Sequence, residues 1–370
     1  MATPKLKSSV RRYDAWLREQ LGGDLVVDDL IEKHAKMASE PFVFLRATYW
    51  RWAETADKFC HGLDSAPTVL AIGDVHLENF GTWRDEDGRL VWGVNDFDEA
   101  AEMPYVLDLV RLAASALLAD PKHDSGREAC DAIHAGYCEG LANPRPFVLD
   151  ELTPWLRRAF EVSPRARESF WRKMTPPPAN ERGEIPRRFQ KALLKALPAS
   201  SEDIETWPRV AGRGSLGRPR WVAKAVWCGS PLVREAKAVV QSAWSRVHDR
   251  KATALRCEQI ANGRFRSPDP KYELRGSIVV RRLSPNNRKI EIIDQPRTLL
   301  STRMLHAMGY EIANIHRGTR GVRAVIQSDL AAQPHDWLHR SAVAAAAFVA
   351  REHRDWKAIW AREKSTPAKA

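Results

Sequence analysis

The chain has 370 residues, 44% hydrophobic and 28% charged, with 58 Lys and Arg against 47 Asp and Glu for a formal net charge of +11. That length allows one large two-lobed unit or two domains, and no apolar run approaches the roughly 20 residues of a membrane span. The five cysteines (Cys60, Cys130, Cys138, Cys228, Cys257) are odd in number and never spaced as CxxC, which argues against a disulfide framework or a thiolate zinc site.

The opening "MATPKLKSSVRRYDAWLREQ" is basic but has no continuous apolar core, so it does not read as a secretory signal and a cytoplasmic location is expected. Residues 5–60 read as helices: Val10, Tyr13, Trp16, Leu17 and Leu21 recur at helical spacing, and "PFVFLRATYWRWAETADKF" is a second amphipathic run. "TVLAIGD" (68–74) is a short strand. "RLVWGVNDFD" (89–98) alternates as another, preceded by the turn-like "DEDG", and the two suggest a hairpin around "GDVHLENF". Residues 105–119, 124–142 and 148–160 read as helices. Prolines and charges interrupt all periodicity around 174–188, where an exposed linker is expected.

After it the texture changes. "GRGSLGRPR" is a glycine-rich turn, "RWVAKAVWC" and the segment after the next Gly-Ser-Pro form a β-hairpin, a helix falls within 239–262, and 273–294 supplies two more strands. The rest is helical. Residues 151–200 hold eleven Lys and Arg against five Glu, without an RNP pattern or zinc-finger spacing. They read as a solvated basic surface suited to anionic ligands, which makes nucleic-acid binding the weaker reading.

Phosphoryl transfer asks for an acid that orients or deprotonates the attacking hydroxyl, and for oxygen ligands that hold magnesium against phosphates. Asp74 and Asn79, spaced D-x-x-x-x-N, can send a carboxylate toward an acceptor and an amide oxygen toward the metal. Asp96 of "NDFD" adds the second hard oxygen ligand that magnesium prefers.

These residues carry a resemblance. "GDVHLENF" resembles the GDxHxxN loop of kinase-like small-molecule phosphotransferases, of which the aminoglycoside phosphotransferases are one kind, and "NDFD" resembles their metal motif. With "DLVRLAAS" and "GRGSLGRPR", the set is similar to the bacterial family called domain of unknown function 2252, over most of the chain. The resemblance implies an α+β, two-lobed, protein-kinase-like fold using ATP and magnesium. Asp74 would then be the catalytic base, Asn79 and Asp96 the magnesium ligands, His76 a loop-packing residue or phosphate contact, and Asp108 the acid bracing the loop. Asp98 replaces the glycine of the metal motif and adds an acid for a second ion or the substrate.

In ordinary kinases the glycine loop precedes the catalytic loop, whereas Gly212, Gly214, Ser215 and Gly217 follow it here, which implies a circular permutation. Residues 1–190 and 296–370 would form the helical lobe and 205–295 the nucleotide lobe, with His316 close to Gly73. Lys237 is the favoured phosphate cation, with Lys224 its competitor; Glu258 is its expected partner and Glu235 the fallback. The acceptor, a small molecule or a protein hydroxyl, is open and an anionic one is favoured by the charge. Transfer of AMP, a nucleotide-binding pseudokinase or regulatory module and, more remotely, a metallophosphoesterase built on "GDVH" are the other readings.

Overall fold

The computed structural model describes residues 4–60, 62, 65–120, 126–149, 153–210 and 214–365. Gly212 lies outside them. Four helices open the chain: α1 (Leu6–Leu21), α2 (Val27–Met37), α3 (Pro41–Ala47) and α4 (Tyr49–Thr55). The strands β1 (Thr68–Ala71), β2 (Phe80–Arg84), β3 (Leu90–Val94) and β4 (Ala101–Pro104) lead into α5 (Val106–Ala119) and α6 (Gly126–Ala142). There follow β5 (Phe147–Val148), α7 (Pro154–Phe160), α8 (Pro164–Lys173) and α9 (Arg187–Ala196). Next come β6 (Glu202–Pro208), β7 (Arg220–Trp227), β8 (Ser230–Ala238), α10 (Ala243–His248), α11 (Cys257–Ala261), β9 (Glu273–Arg275) and β10 (Ile278–Leu283). Four helices close it: α12 (Pro296–Leu299), α13 (Thr302–His316), α14 (Val322–Ala332) and α15 (Trp337–Ser365).

The fold is mixed α+β, with three small antiparallel sheets. β1 pairs with β4, β3 lies between β2 and β5, and five strands run in the order β6-β7-β8-β10-β9. The sequence suggested a hairpin joining 68–74 to 89–98. Instead β1 pairs with β4, with Ala71 opposite Ala101, while the segment after "GDVHLENF" forms β2 and turns through "DEDG" into β3, with Phe80 opposite Val94. Val91, Trp92 and Val94 are all buried although neighbouring strand residues point to opposite faces, so β3 is covered on both sides where alternation suggested one. The single helix expected in 239–262 is two short ones, the helix expected at 148–160 begins at Pro154, and β6 was not anticipated.

The five-stranded sheet has two unlike faces. Trp221, Ala223, Ala236, Ala238, Ile278 and Val280 are buried on one, and α9 packs against β7, β8 and β10. On the other, the register sets Arg220 opposite Lys237, Lys237 opposite Val279, and Glu235 opposite Arg281. Directly opposed residues share a face, so four buried or half-buried charges lie on one surface of the sheet. That surface turns toward the loops between β1 and β4.

The helical packing includes one very close crossing. A Cβ added to Gly309 on α13 would stand 2.0 Å from the carbonyl oxygen of Ile133 on α6, and one on Gly136 would stand 1.9 Å from that of His306. Only glycine lets these backbones approach so closely. Gly309→Ala is expected to destabilise the protein by about 3 kcal/mol, at the upper end of overpacking costs, read from the urea midpoint at unchanged slope. A loss within experimental error would mean that the two helices are farther apart.

Candidate functional site

Two loops are fixed by the same ladders. Residues 72–79 leave β1 after Ala71 and enter β2 at Phe80; residues 95–100 leave β3 after Val94 and enter β4 at Ala101. Because Ala71 opposes Ala101 and Phe80 opposes Val94, both ends of one loop are pinned to both ends of the other, and Asn95 N donates to Asn79 O at 3.1 Å. This brings Asp74 and Asn79 to Asp96, Asp98 and Glu99.

A polar stripe on α5 holds the first loop. Asp108, Arg111 and Ser115 lie at i, i+3 and i+7 of an otherwise apolar helix, hence on one face. Asp108 accepts from Ile72 N at 2.8 Å and Gly73 N at 2.9 Å, and Ser115 Oγ accepts from Leu77 N at 3.2 Å. His316 Nε2 lies 3.0 Å from Asp108 Oδ2, so Asp108 joins the end of α13 to Gly73, the two residues expected to be neighbours. Arg111 does not pair with Asp108 along the helix. It is fully buried against Tyr49 and Trp52 and directs its guanidinium to Asp74 Oδ1, with Nε at 3.2 Å.

Asp74, His76, Asn79, Asp96, Asp98 and Glu99 line one cavity with Gly214 and Ser215 of the glycine turn. Burial pushes Asp74 up to about 6 against the opposing pull of Arg111. Burial also opposes the charge of Asp96, but Lys237, Lys289, Arg281 and Arg220 together hold its carboxyl well below the ordinary range. Two carboxylates are thereby set apart, one raised and one lowered. Burial, then Arg46 and Arg111, hold His76 well below its usual value; Nδ1 accepts from Glu78 N and Nε2 lies 3.3 Å from Arg46 Nε. The ring packs and caps the loop, and neither nitrogen is turned to a metal. Asn79 Nδ2 donates to the Asp74 carbonyl at 2.5 Å, which commits the nitrogen end of the amide to the backbone.

Of the two candidate lysines, Lys237 reaches the loops: Nζ lies 3.4 Å from Asp96 Oδ1 and is ion-paired with Asp98 Oδ2. Lys224 stands on the same face of the sheet but opposite Val233, two pairs along; neither lysine lines the cavity itself, and Lys237 reaches it through Asp96 and Asp98. Glu258 is not the partner of Lys237, because its Oε1 accepts from Leu274 N at 3.1 Å. Glu235, the fallback, is buried with Arg209, Arg220 and Arg281 around it, and those charges outweigh burial and hold it well below the usual range. Asp98 is engaged by Lys237 and by Arg218 Nη1 at 3.4 Å, leaving Asp96, with 32% of its side chain exposed, as the more accessible oxygen donor. Gly217, expected on the nucleotide, has φ +91° and faces Leu17, Leu25 and Leu30, so it shapes the turn from behind. Among the described residues no group of three or more His, Cys, Asp or Glu side chains is placed to hold a metal ion.

Lys289, which the sequence gave no reason to select, stands where this cavity meets a second, more apolar hollow lined by Trp83, Val94, Phe97, Tyr272 and Leu283. Lys289 is exposed at the rim, and Asp96, Arg281, Arg46 and Lys237 are among the charges around it. Arg111, Glu99 and Arg218 were likewise not anticipated. The stripe at 108, 111 and 115 was the readable sign of the first; single lysines and arginines in loops leave none.

Residues 26–143 match the family described as an uncharacterized protein conserved in bacteria (DUF2252). The matched segment contains "GDVHLENF", "NDFD" and the polar stripe of α5 and stops before the five-stranded sheet. A search of curated proteins and a search of solved structures each found no match. The sequence similarity shown is therefore to that bacterial family, over the part of the chain that supplies the carboxylates of the cavity.

Proposed function

We propose that the chain is an ATP- and magnesium-dependent phosphotransferase of two-lobed, kinase-like architecture, with its nucleotide lobe following the catalytic loop in sequence. The observation that carries this reading is the convergence on one cavity of Asp74, Asn79 and Asp96 from the ladder-clamped loops with the Gly214–Ser215 turn, and of Lys237 from β8 on Asp96. Separate stretches of chain supply the base, the hard oxygen donors, the cation and the glycine turn that phosphoryl transfer uses.

Asp74 receives the acceptor hydroxyl. A carboxyl at about 6 is ionised near neutrality yet basic enough to take a proton, and Arg111 keeps it in one orientation. Lys237 and Lys289 bind phosphate oxygens, and the hollow of Trp83, Phe97 and Tyr272 beyond Lys289 takes the nucleobase. Asp96 and the amide oxygen of Asn79 fit magnesium, which takes one or two protein oxygens and completes its shell with phosphates and waters. When bound, the ion supplies charge neutralisation on the phosphates. Asp98, tied to Lys237 and Arg218, steadies the cation and is not needed as a ligand. A metallophosphoesterase reading has little support, because both nitrogens of His76 are engaged by protein groups, Nδ1 by Glu78 N and Nε2 by Arg46 of α3.

Calorimetry with magnesium and a non-hydrolysable ATP analogue tests the binding half, and mass detection of phosphorylated product from a metabolite extract tests the transfer half. Asp74→Asn is expected to retain nucleotide binding and to lower transfer by about 100- to 10,000-fold, the usual contribution of a general base. Lys237→Met is expected to weaken nucleotide binding. Unchanged transfer in Asp74→Asn would remove Asp74 from the role of base.

The pH dependence supplies a separate check. Transfer is expected to rise through about pH 6 as Asp74 ionises, and Arg111→Met is expected to move that limb upward because Arg111 opposes the effect of burial. The folded value is raised, so this group contributes stability that is fully present below its unfolded value of 3.8 and lost as pH rises through about 6. A limb that does not move in Arg111→Met would assign it to another group.

A further inference from the structure

Most cations around the main cavity are paired with acids; among the described residues exposed Lys289 and buried Lys33 have no ion pair. Arg46 pairs with Glu78, Arg111 with Asp74, Arg218 with Asp98 and Glu99, and Lys237 with Asp96 and Asp98. Lys33 on α2 lines the same cavity and is 1% exposed, yet among the described residues its partners are the carbonyl of Gly214 at 2.9 Å, the Tyr13 hydroxyl at 3.5 Å and the Tyr13 ring at 4.7 Å. No carboxylate is among them. A buried ammonium without a counter-charge is expensive, and one carbonyl and one ring face offset only part of that cost.

The surrounding donors point the same way. Trp50 lines the cavity at 3% exposure and its Nε1 has no acceptor among the described residues; Arg218 Nε, also buried, has none either. Donors in this part of the cavity thus exceed acceptors. The second hollow adjoins the cavity at Lys289, whereas Lys33, Tyr13 and Trp50 line the main cavity alone. Lys33 also holds Gly214, whose Cβ position would be 3.2 Å from Asp74 Oδ2, so the ammonium belongs to the surroundings of the carboxylate that receives the acceptor. The free volume is about 90 Å³. Its lining is largely buried side chains, so the space suits a small charged group and not a folded protein surface.

From these observations we infer that Lys33, with the indole N–H of Trp50, binds an anionic substituent of the acceptor, so that the acceptor class is a small hydroxylated carboxylate or phosphate ester. The inference rests on the proposed phosphotransferase reading for the word acceptor, and on the cavity alone for the anion.

The direct test is calorimetric titration of the full chain with inorganic phosphate while the nucleotide site is filled with magnesium and a non-hydrolysable ATP analogue. Phosphate is expected to bind, to weaken about tenfold or more in Lys33→Met, as for loss of a charge-assisted hydrogen bond, and to recover in part in Lys33→Arg. The thermal midpoint of Lys33→Met should hold or rise, because an apolar side chain replaces a buried charge. If phosphate does not bind, or binds wild type and Lys33→Met alike, the inference is overturned; a Lys33→Met midpoint that falls, with binding not recovered by Lys33→Arg, assigns Lys33 a structural role and overturns it too. Should the ATP analogue not bind, the phosphotransferase reading fails, and the same titration on Lys237→Met against Lys237→Met with Lys33→Met still decides whether Lys33 holds an anion. In the transfer assay the acceptor is expected in the part of a metabolite extract retained by an anion exchanger, and product formed only from the unretained part counts against it.

Discussion

Lys237 leaves β8 with 4% of its side chain exposed and meets Asp96 and Asp98, carboxylates carried by a loop about 140 residues earlier in the chain. Buried charges of this kind have no alternative partner in water, so removing either side leaves the other uncompensated. The sheet is consequently not free to slide over the loops as apolar surfaces can. Arg218 adds a second crossing to Asp98 and Glu99, and Glu99 accepts in turn from Ala243 N at 2.7 Å, just beyond the end of β8. Position between the sheet and the loops is thus fixed by directional bonds, and the glycine turn, which enters β7, is fixed with it.

The same charges explain why Lys237 faces the loops. In kinase-like enzymes a glutamate on a neighbouring helix holds the phosphate-binding lysine. Here the helix acid Glu258 accepts from the backbone of Leu274, while the strand acid Glu235 is surrounded by Arg209, Arg220 and Arg281. Neither competes for the ammonium at short range. Lys237 is left to the two loop aspartates, with Asp98 the nearer of them.

Local patterns were legible. Helical patterns located α1, α5 and α13, alternation pointed to β3, turn-bounded runs found β7 and β8, and the spacing of Asp74, Asn79 and Asp96 identified side chains that do share a cavity. The neighbourhood of His316 and Gly73 followed from the resemblance and the permutation it implies, and Asp108 joins the two. Pairing between elements was less accessible. Nothing in "TVLA" distinguishes β4 from β3 as its partner, because each offers a short strand and the choice depends on how both loops close together. Glu258 was the natural candidate by elimination along the chain, but elimination says nothing about direction, and its carboxylate turns to a backbone amide. Lys33 and Lys289 are ordinary in sequence; the burial of the first and the place of the second beside the cavity show only in the fold.

Gly214 brings these strands of argument to one point. An added Cβ there would lie 2.8 Å from the carbonyl oxygen of Arg46 and 3.2 Å from Asp74 Oδ2, so this turn rests on the carboxylate with no side chain between them. Lys33 donates to the carbonyl of the same residue, and Ser215 is bonded to Arg220 on the charged face of the sheet. A helix from the first tenth of the chain and a strand from its middle therefore grip adjacent residues of one turn above Asp74. Because Lys33 is buried and has no acid of its own, its hold on Gly214 is electrostatically incomplete, and an anion drawn to it would be drawn to the place where the turn and the carboxylate meet. Charge matched across the sheet and loops fixes the frame, and the charge left unmatched at Lys33 is the reason for placing an anion there.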